Sequence, residues 1–392
     1  ATLVPLNPRL TAFETKRVCD RIHPKMILTE AELDSLCDGP ASSLPARVDE
    51  NARAVVLLTS GTAGTPKVVE LSHSNFRNAA RVNAKNLGSD PSQCWLGTLP
   101  LFHVGGLALI HRVAEYGASV MLEPDFDADR SLALMREAIT HASVVPTMLH
   151  RMIHGAASAP LQSMQAILVG GGPVSPELMI QSRSAGLPVL QTYGLTEACS
   201  QVATESLETA DGQSAGHPLF GIQVDIVDQN GRRCEQGEVG GIEISGSQLG
   251  KVDGIDYGLL GLRYATGDIG LLDAQNRLVV LSRRTDLIIR GGENIYPAEV
   301  EAVLSMHPAV REIAVVPVDD EHFGQVPVGV VVANESLSEI DLPAWAASRL
   351  APFKVPKKFI QVDALPRNAM GKVEHQKLRA LTSGAGSAML LE

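Results

Sequence analysis

The chemistry this chain is equipped for shows first at residues 57–67, LLTSGTAGTPK. An apolar run ends there in Thr59, Ser60, Gly61, Thr62, Gly64 and Lys67. Glycines let a backbone approach an anion and turn its N–H groups inward, hydroxyls add donors, and a lysine adds a mobile cation. The combination is a cradle for a polyphosphate and points to a nucleotide. Its spacing departs from a Walker A loop, in which four residues separate the first glycine from a Gly-Lys pair followed by Ser or Thr. Here Gly61 leads to Gly64, Pro66 and Lys67, which disfavours a P-loop NTPase. A glycine-rich connector has the same composition, so the loop alone does not decide.

Four later segments do: QTYGLTE (191–197), YATGD (264–268), RRTDLIIRGGENIYPAEVE (283–301) and PRNAMGK (366–372). In this order they resemble the adenylate-forming superfamily of acyl- and aryl-CoA synthetases, luciferases and peptide-synthetase adenylation domains. The resemblance runs from VPLNPRLT (4–11) to the Lys372 loop. It implies a carboxylate activated at the α-phosphorus of ATP with loss of pyrophosphate, then passed to the thiol of coenzyme A, with Mg2+ assisting. Thr59, Ser60, Gly61, Thr62 and Lys67 would hold the pyrophosphate portion. Thr196 would meet the α-phosphate and Glu197 would bind the magnesium, a hard cation that prefers oxygen. Tyr193, facing Gly171 and Gly172, would form the adenine slot; Asp268 would accept both ribose hydroxyls, and Arg283 would contact ribose or phosphate. Lys372 would reach the bridging oxygen during adenylation, and Gly291 and Gly292, with Glu293 and Asn294, would line a pantetheine tunnel on the opposite face. Alone, Gly267–Asp268 reads as a hairpin turn and Lys372 as a surface lysine. Met370 stands where the family carries a small residue, and Thr285 where many members have a pivot Asp or Lys.

The acid is read at LPLFHVGGLALIHR (99–112). Relatives that activate amino acids carry an Asp after the Phe to pair with the ammonium group. His103 stands in that place here, which disfavours an amino acid. His103 is then either a gate facing an aromatic acid, counted with the catalytic residues Lys372, Thr196 and Glu197, or a buried structural histidine. With GGGPVSPELM (170–179) and QTYGLTEACSQ (191–201), the pattern looks most like the o-succinylbenzoate:CoA ligases of menaquinone biosynthesis. The alternatives are another aryl- or acyl-CoA synthetase, or an adenylation enzyme loading a carrier protein. A nucleotide-binding regulator without ligase activity is disfavoured by the presence of Lys372 and Glu197.

These residues need a scaffold. AVVLL (54–58), AILVG (166–170) and PVLQTY (188–193) read as strands, each leading into a Gly- or Thr-rich turn. Between two of them lies a helix with Ser175 as N-cap, Pro176 in its first turn and Gly186 past its end. Strand, loop and helix units predict an α/β fold with ligand loops at the carboxyl ends of strands. Beyond 283 the strands EIAVVPV (312–318), VPVGVVVA (326–333) and KFIQV (358–362) and a helix near 342–350 read as a small, mobile α+β domain. The expected division is a large N-terminal core of sheets flanked by helices over 1–283, a hinge about 284–286 and a lid over 287–392, its tail from Ser383 without structure.

Composition agrees. The 392 residues, 45% of them hydrophobic, suffice for two cores. No run of 18 apolar residues and no signal-peptide pattern occurs, so the expectation is a cytoplasmic enzyme without a membrane span. A net charge of −11 argues against nucleic acid as a partner. The five scattered cysteines fit neither a disulfide framework nor a zinc site, and Cys199 reads as a buried thiol. Family members carry several dozen residues ahead of the VPLNPRLT segment, expected to supply an outer strand and helices of the first subdomain. A homo-oligomer is left open.

Overall fold

The computed structural model describes residues 1–8, 12–37, 48–59, 67–156, 161–172, 174–283, 288–290, 293–295, 297–320, 323–368, 373–383 and 390–391. Two helices, α1 (Ala12–Ile22) and α2 (Glu30–Cys37), precede a first hairpin of β1 (Arg53–Thr59) and β2 (Lys67–Ser72), which pair antiparallel with Thr59 opposite Lys67. From β2 the chain enters α3 (His73–Leu87) through a reciprocal cap. Ser72 accepts from the Asn75 amide, and the Asn75 side chain accepts from the Ser72 amide.

The largest sheet holds β3 (Cys94–Gly97), β4 (Ser119–Leu122), β5 (His141–Val144), β6 (Ala166–Val169), β7 (Val189–Leu195), β8 (Ser200–Thr204) and β9 (His217–Pro218), in the order β4-β3-β5-β6-β7-β8-β9. Strands β3 to β7 are parallel, joined by α4 (Val104–Tyr116), α5 (Ala128–Glu137), α6 (Pro146–Ala156) and α7 (Pro176–Ser184). Parallel strands covered by helices must be apolar throughout, and all four residues of β6 are buried. Leu96, Ile167 and Val189 of the sheet pack with Leu132, Met135, Leu149, Met152 and Met179 of the helices. Each such side chain contributes about 1.5–3 kcal/mol on burial. Helix α7 starts as its sequence predicts: Ser175 Oγ accepts from the Leu178 amide, Pro176 follows, and Gly186 beyond the end adopts φ 81°.

A third sheet, β10-β11-β14-β15, is antiparallel: β10 (Ile222–Val227), β11 (Gly240–Gly246), β14 (Tyr264–Leu272) and β15 (Leu278–Arg283). Between them, β12 (Lys251–Val252) and β13 (Ile255–Asp256) return to extend the first hairpin through β2, and the short α8 (Tyr257–Leu260) leads into β14.

The C-terminal part has its own sheet. A hairpin of β16 (Ile288–Arg290) and β17 (Glu293–Ile295) leads to α9 (Pro297–Ser305), then to the long hairpin β18 (Val310–Asp320) and β19 (Gly324–Ala333). Helix α10 (Leu342–Ala347) carries the chain over to β20 (Lys358–Gln361), parallel to β19, and α11 (His375–Ser383) follows. Successive residues of a strand face opposite ways. Val315 and Val331 therefore pack with Val300, Leu304 and Phe359 on one face, and Val316, Val330 and Val332 with Leu378 on the other. The fold is thus the expected α/β architecture with a smaller α+β C-terminal part. Two details differ. Helix α10 stops at Ala347, and Leu390–Leu391 form β21, which pairs with the open edge of β20 where the tail was expected to lack structure.

Candidate active site

The cradle is the connection of a hairpin. The strand 54–58 does lead into it, but the chain then returns as β2, antiparallel, where a helix was expected. Ser60, Gly61 and Thr62 lie outside the described residues. Its two ends are fixed by the register that sets Thr59 opposite Lys67. Thr59 Oγ1 is buried and has no hydrogen-bond partner among the described residues. A buried hydroxyl in that position is costly unless something polar meets it.

Lys67 connects the cradle to a second motif. Its ammonium donates to Tyr264 Oη at 3.0 Å, and the phenol donates to Glu197 Oε1 at 2.9 Å. Burial, then the adjacent Glu197 carboxylate, hold the Tyr264 phenol far above its usual range, so it stays protonated and serves as the donor. Glu197 lies in a 3-10 turn, Thr196–Ala198, between the antiparallel strands β7 and β8. The loop 193–197 is therefore a hairpin too, its first three residues still in β7. Other groups clamp that turn: the Gly250 amide donates to the Glu197 carbonyl at 2.9 Å, and Gln248 Nε2 to the carbonyls of Ala198 and Gln201 at 2.8 and 2.5 Å. At Gly194 a side chain would run into the Ser200 carbonyl, so the pairing requires glycine. Cys199, in the left-handed region at φ 53°, is fully buried, and burial pushes its thiol far up: it is the inert thiol expected.

Behind the turn lies a polar cluster that no motif signals. Gln201 Oε1 accepts from Asn83 Nδ2 at 2.7 Å and from the Arg112 guanidinium at 3.0 Å, while Arg112 also lies over the Trp95 ring. Burial lowers Arg112 to about 10, which leaves it charged at neutral pH. The cluster fixes α3, α4 and β8 to one another; its members are far apart in sequence, which is why spacing does not reveal it.

A second bond joins two more expected site residues. Tyr193 Oη donates to Asp268 Oδ2 at 2.6 Å. Asp268 projects from a bulge in β14 and not from a hairpin turn: three residues, Thr266 to Asp268, stand against the single Ile242 of β11, and Gly267 takes φ 80°. Thr266 Oγ1 donates to the Ile242 carbonyl at 2.9 Å and accepts from the Asp268 amide at 3.1 Å. Arg283 is paired opposite Asp268 across the β14–β15 ladder. Gly171, at φ 79°, and Gly172 follow β6; Gly170 before them lies so close to Thr192 that a side chain there would meet its carbonyl at 2.8 Å. The 170–172 loop thus lies beside the strand that carries Tyr193.

His103 belongs to a different element. It is the N-cap of α4 in the crossover after β3, half-buried, its ring 4.6 Å from that of Phe102. Gly106 allows the Leu99–Pro100 carbonyls to fold over the helix start; a Cβ there would come within 2.5 Å of the Pro100 oxygen. Gly291, Gly292, Lys372 and the hinge residues 284–286 lie outside the described residues. Arg367 and Val373 form an antiparallel bridge.

Two family models match the chain. Residues 1–252 match the AMP-binding enzyme family and residues 299–372 its C-terminal domain. The chain belongs to the AMP-binding enzymes. It is 38% identical over 405 residues to a 2-succinylbenzoate–CoA ligase of Bacillus licheniformis, covering 96% of this chain and 84% of the relative. Among solved structures it resembles the o-succinylbenzoate CoA synthetase MenE of Bacillus subtilis in complex with the acyl-adenylate OSB-AMP. The identity is 37% and the TM-score 0.83, with 96% of this chain and 77% of that one covered. The same synthetase with ATP and magnesium ion gives 38% and 0.78, covering 88% and 74%.

Magnesium suits the donors present. Among the described residues no group of three or more His, Cys, Asp or Glu side chains forms a ready-made metal cage. A Mg2+ ion held by one carboxylate, waters and substrate phosphates needs none. Glu197 is such a carboxylate, with Oε1 engaged by Tyr264. Among the described residues no helix is long and apolar enough to cross a membrane.

Proposed function

We propose that this chain is an AMP-forming acid–thiol ligase that joins o-succinylbenzoate to coenzyme A at the expense of ATP. A carboxylate oxygen of the acid attacks the α-phosphorus and pyrophosphate leaves with the electrons of the broken P–O bond. The thiol sulfur of CoA then attacks the acyl carbon, loses its proton, and AMP leaves. The observation that carries the reading is a pair of hydrogen-bonded linkages, Lys67–Tyr264–Glu197 and Tyr193–Asp268, in a chain that over most of its length resembles a synthetase holding OSB-AMP.

In this reading Thr59, Ser60, Gly61, Thr62 and Lys67 bind the departing pyrophosphate, and the Thr59 hydroxyl finds its partner there. Thr196 meets the α-phosphate. Glu197 holds magnesium, which when bound neutralises phosphate charge. Tyr193 and the Gly171–Gly172 backbone take the adenine. Asp268 accepts the ribose hydroxyls, and Arg283, across the ladder, reaches ribose or phosphate. Lys372 supplies a cation at the reacting centre, and Gly291 and Gly292 border the CoA thiol's approach. The division is a core over 1–283, a hinge at 284–286 and a mobile lid over 287–392. The gap between the two family matches, 252 to 299, accommodates that hinge. The location is the cytoplasm, where ATP and CoA are at hand, as a monomer or a homo-oligomer.

The second carboxylate of the acid must not be desolvated alone, since an unpaired buried charge costs several kcal/mol. The start of α4 answers this need: no side chain caps it, so the amides of Gly105 and Gly106, beside His103, are donors with a favourable dipole. The test is a specificity panel. With ATP and CoA fixed, o-succinylbenzoate should give a higher kcat/KM than benzoate or a medium-chain fatty acid. A monoacid that wins would replace the assignment by a general aryl- or acyl-CoA synthetase. Acyl transfer to a carrier protein's arm in preference to CoA would replace it by a carrier-loading enzyme.

A further inference from the structure

Tyr264 opens the YATGD segment, of which the motif reading uses only Asp268. The phenol is buried, and its ring stands edge-on to Tyr257 with centroids 5.0 Å apart and planes at 87°. Its oxygen is the meeting point of two charged groups, 3.0 Å from Lys67 Nζ and 2.9 Å from Glu197 Oε1. A phenol has one proton, and an ammonium can only donate. The polarity is therefore fixed: Lys67 donates to Tyr264, which donates to Glu197. The three residues come from β2, β14 and the turn after β7, so the chain of bonds ties together elements that no stretch of backbone joins directly.

We infer that Tyr264 is a positioning residue of the adenylation half-reaction. By engaging Oε1 it orients the Glu197 carboxylate and leaves Oε2 for a divalent cation carried by ATP. This rests on the proposed nucleotide chemistry but makes a separate claim: the phenol acts on metal-dependent binding and on little else.

The experiment measures ATP binding by calorimetry with Mn2+ and with excess EDTA, for wild type, Tyr264→Phe, Glu197→Gln and the double variant. Phenylalanine keeps the packed ring and removes one oxygen. A lost hydrogen bond to a charged group should weaken Mn2+-dependent binding roughly tenfold or more, while ATP affinity in EDTA stays near wild type. In the Glu197→Gln background the same change should add little, because its target is already gone. Equal losses with and without metal would mean that Tyr264 only supports the fold. A full additional loss on top of Glu197→Gln would mean that it acts elsewhere. Either result overturns the inference and leaves the ligase reading intact. Wild-type protein that binds ATP with no metal dependence would overturn both.

Discussion

Asp268 is held in place by a neighbouring motif. Oδ2 takes the Tyr193 phenol at 2.6 Å, which fixes the carboxylate plane against the residue expected to face the adenine. Asp268→Ala should weaken ATP and acyl-adenylate binding by about 1.5–3 kcal/mol for each charged bond lost, since both ribose hydroxyls lose an acceptor. Calorimetry on the folded variant checks this, and unchanged affinity would remove Asp268 from the site. The motif YATGD made this residue visible in the sequence. Tyr264, four positions earlier, was not, because its partners Lys67 and Glu197 lie 197 and 67 residues away. Gln201, Gln248 and Arg112 were hidden for the same reason: they act by support, which leaves no spacing pattern.

At the scale of elements, local rules read well and pairings did not. The Ser175–Pro176 start of α7 follows from capping chemistry within a few residues. The β1–β2 hairpin that the cradle connects is extended by β12, which joins the same sheet from nearly 200 residues downstream, a pairing no local pattern signals. Strand β5 carries a pH dependence of its own. His141 is fully buried, stacked on Trp95 at 4.6 Å, its Nδ1 2.9 Å from Thr140 Oγ1. Burial, with the nearby Arg112 charge, lowers it to about 4. Between about pH 6.5, the ordinary histidine value, and about 4, the unfolded chain therefore binds a proton that the folded one refuses. Stability is full above 6.5 and falls as pH drops towards 4, by on the order of 2–3 kcal/mol from this group. Urea unfolding at a series of pH values should show that slope, and His141→Phe, which keeps the stack without the titration, should flatten it. An unchanged slope would assign the acid sensitivity to other groups.

For the whole molecule, the central question is how one site runs two half-reactions. Lys372 falls within the C-terminal family match, residues 299–372, and Glu197 within the first, residues 1–252. If the lid presents Lys372 for adenylation and another face for thioester formation, Lys372→Ala should slow the first step by a hundredfold or more, on the order of 3 kcal/mol. Thioester formation from supplied acyl-adenylate should be spared. Pyrophosphate exchange and single-turnover thioester assays separate the two, and parallel losses would make Lys372 structural. The class of fold was legible because alternating strand and helix signals are strong over the core. The valine-rich runs beyond 310 likewise announced strands, whose burial on both faces the structure adds. The four-sheet assembly was not, since β8, β9, β12 and β13 are too short to signal themselves.

The strand order turns back on itself at β3, with β4 on one side and β5 on the other, and the loop that ends in His103 leaves the sheet at that reversal. In open parallel sheets this is where a crevice forms without further design. Lys67, Glu197 and Asp268 stand on hairpins and a bulge built elsewhere. The consequence is modularity. Residues 98–104 stand apart from the bonds that hold Glu197 and Asp268, whereas Gly106 is fixed by the fold of the Leu99–Pro100 carbonyls over the helix start. If the acid binds at this reversal, a change of acid is a local edit, open to drift or to a designer, while the nucleotide end stays constant.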